Sequence, residues 1–258
     1  MSILDAFSLK GKVALVTGGA GLYGRQIVEA VAEAEAKTYV ASRNLKALEK
    51  SAEESRQNGL DVVALQYDQG DEASILALRD EIIKRSGKID ILINNSVART
   101  LKDGWQSPAS AFEESMRINA TGLFLITRAV GDVMGDGGSI INIGSIMGLI
   151  GPEPANYKGT DMNGFVPDYF FNKGGMASLT RCVASYYGEK NIRCNCIHPG
   201  GFYTGQPEPF VERYCEHTML GRMANETDLK GIIVFLASDA SAYITGTNIP
   251  VDAGYTAK

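Results

Sequence analysis

The sequence predicts an α/β protein: a doubly wound parallel sheet of about seven strands with helices on both faces. Three observations predict it. Short β-branched runs alternate with longer helical patterns along the whole chain. Some runs are apolar at every position, as expected of strands buried on both faces. Glycine, 29 of 258 residues, gathers in turns behind the strands rather than in a linker or repeat.

Val13-Ala14-Leu15-Val16 is the first strand, and a helical pattern follows from about Leu22 to Ala36. Thr38 to Ala41 is the second strand. Asn44 is placed to cap a helix through about Gln57, which Asn58-Gly59 ends. Val62 to Gln66 is the third strand, and Asp71 opens a helix to about Ser86. Asp90 to Ile93 is the fourth strand. A helix from about Ala109 to Val133, broken near its start, precedes the strand Ser139 to Ile143. A long helix runs from Asp168 to Glu189, then a strand from Ile192 to Ile197 ended by His198-Pro199-Gly200. A helix from Asn225 to Ala237 and a strand from Asn248 to Val251 close the series. We read residues 1–258 as a single domain. The proline-bearing stretches 146–167 and 200–220 are the least regular and are expected to be substrate loops.

Composition excludes several functions. The balance of 25 basic and 30 acidic residues gives a net charge of −5, without the basic footprint that nucleic acid or an anionic membrane requires. Two histidines, His198 and His217, cannot build a histidine-rich metal site, so no metal is expected. His198, before a proline at a strand end, reads as structural, and His217 as a loop residue. Four cysteines cannot make a disulfide scaffold. Cys194 and Cys196 alternate on one strand and read as core. The N-terminus lacks the pattern of a signal peptide, and no apolar run approaches the roughly 20 residues of a membrane span. The expected compartment is the cytoplasm.

Ligands of such sheets bind beyond the carboxyl ends of the strands, and the glycine clusters at 18–24, 144–151 and 200–201 converge there. Gly19, Gly21 and Gly24 fit G-x-G-x-x-G, and Gly18, Gly21 and Gly24 fit T-G-x-x-G-x-x-G from Thr17. Either pattern lets backbone approach a pyrophosphate at a helix N-terminus. At the end of the second strand, where an Asp or Glu would hold the ribose hydroxyls of NAD, the chain has Ala41-Ser42-Arg43. No carboxylate repels a 2′-phosphate there and Arg43 can pair with one, which favours NADP over NAD. Asp68, after the third strand, is in reach of an adenine amino group.

Tyr169 and Lys173 stand at i and i+4 and share a helix face. A phenol titrating near 10 needs a shift of about three units to act near neutrality. A neighbouring ammonium and an oxidised nicotinamide both favour phenolate. Gly174-Gly175 inside the same helix costs about 1 kcal/mol each, so a cofactor or partner helix is expected to approach closely.

These pieces, with Asn94-Asn95-Ser96-Val97-Ala98, Asn119, Ser145, Thr204 and the closing Val251-Asp252-Ala253-Gly254, resemble the short-chain dehydrogenase/reductase family from about Gly11 to Gly254. The resemblance implies a Rossmann-like sheet and hydride transfer between NAD(P) and an alcohol or carbonyl. It implies Tyr169 as acid/base, Ser145 as donor to the reacting oxygen, Lys173 on the nicotinamide ribose, and Asn119 behind a proton-relay water. Asn94 is implied to stabilise the sheet. Cofactor contacts are implied for Gly18, Gly21, Leu22, Tyr23, Gly24, Ser42, Arg43, Asp68, Asn95, Lys173, Pro199, Gly200 and Thr204. Long helices are implied to form a homodimer or homotetramer interface.

Three departures stand out. Leu22 occupies a position that is usually Gly in the short branch. Ser145 and Tyr169 are 24 apart rather than about a dozen. At the usual spacing sits Tyr157, but Asp161 stands where its lysine would be. Pro152 to Pro167 therefore reads as holding an insertion of about eleven residues at the substrate mouth. The usual N-N-A-G is Asn94-Asn95-Ser96-Val97, followed by Arg99, which with Tyr203 is a candidate substrate contact, Arg99 for a carboxylate or phosphate. The expected function is interconversion of a secondary alcohol and a ketone, leaning towards a sugar, polyol or sugar acid. The rivals are a 3-oxoacyl carrier-protein reductase and a sugar-nucleotide epimerase or dehydratase.

Overall fold

The computed structural model describes residues 2–258. Seven parallel strands form one sheet in the order β3-β2-β1-β4-β5-β6-β7. They are β1 (Val13–Thr17), β2 (Lys37–Ser42), β3 (Val62–Gln66), β4 (Ile91–Asn94), β5 (Gly138–Ile143), β6 (Ile192–Pro199) and β7 (Asn248–Val251). The order reverses after β3, between β1 and β4, and a crevice opens there beyond the strand ends.

Alternation along the strands divides the core in two. Val16, Ile93, Ile141 and Ile197 face one side, against α1 (Leu22–Glu33), α2 (Leu45–Gln57) and α9 (Lys230–Ala237). Leu15, Leu92, Ile140 and Cys194 face the other, against α3 (Glu72–Ser86), α5 (Gly122–Gly131) and α7 (Pro167–Tyr187). The caps read from sequence form: Asn44 accepts from the Ala47 amide and Asp71 from the Ala73 amide.

The break expected in the helix from Ala109 takes the form of a π-helical turn (Met116–Thr121) between α4 (Ala109–Ser115) and α5. Such turns are rare and cluster at functional sites; this one holds Asn119. Several other elements differ from expectation. The helix expected from Asn225 starts only at Lys230, because the Asn225 carboxamide accepts from the Thr227 amide and holds a local turn instead. The two irregular stretches contain helices that their prolines conceal: α6 (Pro154–Tyr157) and α8 (Glu208–His217). Proline is tolerated in a first helical turn, where amides lack partners anyway. His217 thus lies in the last turn of α8 rather than in a loop. At Gly174 the close neighbour is the chain's own turn: a Cβ on Gly148 would lie 2.6 Å from the Lys173 carbonyl oxygen. Neither a cofactor nor a partner helix is needed there, and nothing approaches Gly175 within 4 Å.

A buried polar ladder fixes the strands that carry the site. Asn94 on β4 donates to Thr127 of α5 at 3.1 Å and to Asn142 of β5 at 2.9 Å, and Asn142 donates to Thr180 of α7 at 2.9 Å. Replacing Asn94 by Ala strands the carboxamide oxygen of Asn142, a loss of about 1–3 kcal/mol for a buried unpaired group. Urea unfolding of Asn94→Ala checks this; a midpoint equal to wild type contradicts it.

Candidate active site

One cavity of about 740 Å³ lies along the carboxyl ends of the strands. At one end is the glycine turn. Gly18 has φ +70°, a left-handed conformation that a side chain disfavours, and a Cβ there would stand 2.9 Å from Ser96 Cα. A Cβ on Gly24 would stand 2.4 Å from the Gly18 carbonyl oxygen. Gly19, shared with the alternative spacing, is also closely packed, with a Cβ there 2.0 Å from Val40 Cγ2. Asn95 donates to the Gly18 carbonyl at 2.8 Å, while Thr17 Oγ1 accepts from the amides of Asn95 and Ser96. The exits of β1 and β4 thus hold each other. Backbone, not side chains, lines the turn, as a pyrophosphate requires.

Gly21, Leu22 and Tyr23 line the cavity beside this turn, followed by Ser42, Arg43 and Asp68 from the ends of β2 and β3. Leu22 is exposed in the first turn of α1. Tyr23 reaches over and donates to the Gly200 carbonyl at 2.7 Å, with its ring edge-on to Phe202. Arg43 is exposed and free of ion pairs among the described residues. One oxygen of Asp68 accepts from the Gly70 amide at 2.8 Å. Pro199, Gly200 and Thr204 close the far side.

Ser145, Tyr169 and Lys173 meet in the middle of the cavity. Ser145 is buried just past β5. His198 holds its backbone, with Nδ1 2.8 Å from the Ser145 carbonyl and Nε2 2.9 Å from Asn248. The structural reading of His198 agrees with this. Lys173 is buried and donates to the Ile143 carbonyl at 2.5 Å; its Nζ lies 5.7 Å from the Tyr169 ring centre. Burial pushes the Lys173 ammonium below its ordinary range, Tyr169 and Cys196 oppose the shift, and Arg99 adds to it. The Arg99 guanidinium stacks over the Tyr169 ring at 4.3 Å. Tyr157, by contrast, packs on Phe210, 5.4 Å between ring centres.

Asn119 does not line the cavity. It brackets Ala98, donating to its carbonyl and accepting from its amide, both at 2.8 Å, and it donates to Ser115 at 3.0 Å. Ser115 in turn donates to the buried Asp168 at 2.5 Å and accepts from Asn172. No motif marked Ser115 or Asp168. Tyr203 is 56% exposed and stands outside the lining, where Phe202 and Gln206 are instead. Phe210 and Tyr214 of α8 also line the cavity; their i, i+4 spacing was the available signal, hidden by the prolines before them.

Comparison with known proteins agrees with this architecture. The sequence profile of a family described as "Enoyl-(Acyl carrier protein) reductase" matches residues 21–256. A tropinone reductase homolog of Arabidopsis thaliana is 32% identical, over 97% of this chain and 94% of its own. The 2-dehydro-3-deoxy-D-gluconate 5-dehydrogenase of Escherichia coli is 32% identical, over 99% of this chain and all of its own. A gluconate 5-dehydrogenase from Burkholderia cenocepacia, solved in complex with NADP and tartrate, superposes with a TM-score of 0.86 at 29% identity, covering 99% of each chain. The chain belongs to the short-chain dehydrogenase/reductase family. It is an NAD(P)-dependent oxidoreductase that interconverts a secondary alcohol and a ketone.

The depressed Lys173 carries a stability consequence. The unfolded chain holds this proton to about pH 10.4, whereas the folded chain releases it lower. The penalty is thus complete below the folded value and fades as pH rises to the unfolded one. Lys173→Met is expected to be stabilised relative to wild type at pH 7, with the difference shrinking towards pH 10. Paired urea titrations at the two pH values measure this; a difference that grows with pH contradicts it.

Proposed function

We propose that Tyr169 is the acid/base of this reaction, Ser145 the hydrogen-bond donor to the reacting oxygen, and Lys173 the group that holds the nicotinamide ribose and favours the Tyr169 phenolate. The observation that carries this reading is the placement of all three around one cavity, with a buried ammonium beside the tyrosine ring. When bound, the cofactor supplies or takes up the hydride. The chain's residues do the rest. The Gly18–Gly24 turn and the N-terminus of α1 receive the pyrophosphate. Tyr169 gives its proton to the carbonyl oxygen, or takes it from the alcohol, within reach of Ser145. Asn119 keeps the β4 exit in place, consistent with a supporting role in proton relay.

We assign NADP as the preferred cofactor, with NAD the alternative. The end of β2 offers Ser42 and Arg43 and no carboxylate, and Arg43 stands uncommitted at the cavity rim. Asp68 and Asn95 belong to the adenosine and central parts of the same trough. Arg99 has no acidic partner among the described residues, so it is assigned to an acidic group on the substrate. Among the described residues no helix is long and apolar enough to cross a membrane. The four free cysteines fit a reducing compartment such as the cytoplasm. Phe171, 64% exposed, and the open Gly175 lie on one face of α7. They support a homodimer through that face, or a homotetramer built on it.

Tyr169→Phe should lower kcat by about 10²–10⁴-fold, the contribution of a positioned acid/base, and cofactor binding should persist. Full turnover in the variant, measured with alcohols and ketones in both directions, would refute the assignment. Arg43→Ala should raise the KM for NADPH about tenfold or more, through loss of a charge-assisted contact, and leave that for NADH nearly unchanged. Equal effects on the two cofactors would sink the NADP preference.

A further inference from the structure

We propose that the substrate end of the cavity selects a carbonyl compound with an apolar body, such as an alicyclic or aromatic ring, over a polyhydroxylated chain. This rests on the alcohol/ketone reading above and narrows its substrate class. The wall is made by two stretches that family motifs do not fix. The inserted segment contributes Tyr157, Met162 and Val166, and the region after β6 contributes Phe202, Phe210 and Met223.

Several polar side chains of that wall are already committed. Asn156 donates to the Tyr255 hydroxyl at 2.8 Å, while its oxygen is buried without a partner among the described residues. Asn163 accepts from the Phe165 amide at 2.9 Å. Gln206 spends both ends on the backbone: its oxygen accepts from the Thr204 amide at 2.8 Å, and its nitrogen donates to the Phe202 carbonyl at 2.7 Å. The Tyr214 hydroxyl accepts from the Gly201 amide at 2.5 Å. What stays available is the Asn163 side-chain nitrogen, the Tyr157 hydroxyl, the Arg99 guanidinium, and the Ser145–Tyr169 pair that meets the reacting oxygen. A sugar chain entering this space surrenders the water on several hydroxyls and regains few partners, a loss that a site without matching donors and acceptors cannot repay. A ring or alkyl body loses no such bonds and gains contact with aromatic edges. The unbranched Met147, Met162 and Met223 side chains adapt to its outline.

The wall is also held as one unit, so the polar groups are not free to turn inward. Arg213 of α8 donates to the carbonyls of Ala155 and Lys158 at the end of α6, the Tyr157 ring lies against Phe210, and Tyr214 stacks on Tyr255 at 4.7 Å.

The experiment compares oxidation of cyclohexanol and xylitol at saturating cofactor. The expected result is a kcat/KM about 100-fold higher for the ring alcohol. Met162→Gln should narrow that ratio about tenfold, with thermal melting confirming the fold; Met147→Gln serves as a second probe. A ratio favouring xylitol, or one unmoved by both variants, overturns the proposal. If no alcohol is oxidised at all, the alcohol/ketone reading fails on its own. The wall is then tested by isothermal titration of cyclohexanol and xylitol into cofactor-loaded Tyr169→Phe, where tighter xylitol binding refutes the apolar wall independently of turnover.

Discussion

The constraint on which the site depends is the burial of one ammonium. Lys173 is 5% exposed, and an unpaired charge at that depth is not tolerated. The chain meets the requirement with the carbonyl of Ile143, the last residue of β5. For Nζ to reach it, α7 must lie close on the turn that follows β5, and the glycine at 148 permits that approach. The same contact fixes Tyr169 one turn earlier on the helix, and Ser145 two residues beyond Ile143. A single desolvated charge therefore sets the mutual position of all three groups assigned to chemistry. Tyr169 and Cys196 beside it oppose the shift that burial imposes on the ammonium.

A second anchoring system works from the opposite side. Asp168 and Asn172 immediately precede Tyr169 and Lys173 in sequence, yet they point into the protein, where Ser115 joins them to Asn119. Asn119 holds Ala98, and the next residue, Arg99, lies over the Tyr169 ring. The result is a closed circuit from α7 through α4 and the π-helical turn to the β4 exit and back. The irregular geometry of the π-helical turn places the Asn119 carboxamide against Ala98, which gives a physical reason for the break read near the start of this helix.

Much of this was legible in the sequence because it rests on local rules. Strand alternation, the caps at Asn44 and Asp71, and the glycine turn each follow from a few consecutive residues. Tyr169 and Lys173 were legible because helical periodicity alone makes them neighbours. Long-range arrangements were not. Ser115 is an ordinary helical serine until the fold brings Asp168 to it. The double glycine at 174–175 pointed to a close approach, but the position that requires glycine is Gly148, 26 residues earlier, whose Cβ would lie 2.6 Å from the Lys173 carbonyl oxygen. Glu208–His217 was hidden by Pro207 and Pro209. Those prolines suit a helix start as well as a loop, and only the Phe210–Tyr214 spacing could have decided between them.

The two halves of the cavity are built on different principles, and this bears on how the protein divides its work. The cofactor half is backbone and strand ends, held by reciprocal bonds such as those between Thr17, Gly18, Asn95 and Ser96. Its shape follows from the sheet itself and changes little with side-chain identity. The substrate half is side chains from the insertion and α8, linked by Arg213, the aromatic stack and the Asn156–Tyr255 bond. None of these elements belongs to the sheet, so residues 154–166 can vary without disturbing the ammonium at Lys173 or the ladder through Asn94. Specificity in such an arrangement is set by what the added wall leaves unsatisfied. Here the wall leaves few polar groups, the Asn163 nitrogen, the Tyr157 hydroxyl and the Arg99 guanidinium among them, and much of the surface offered to a substrate is carbon and sulfur.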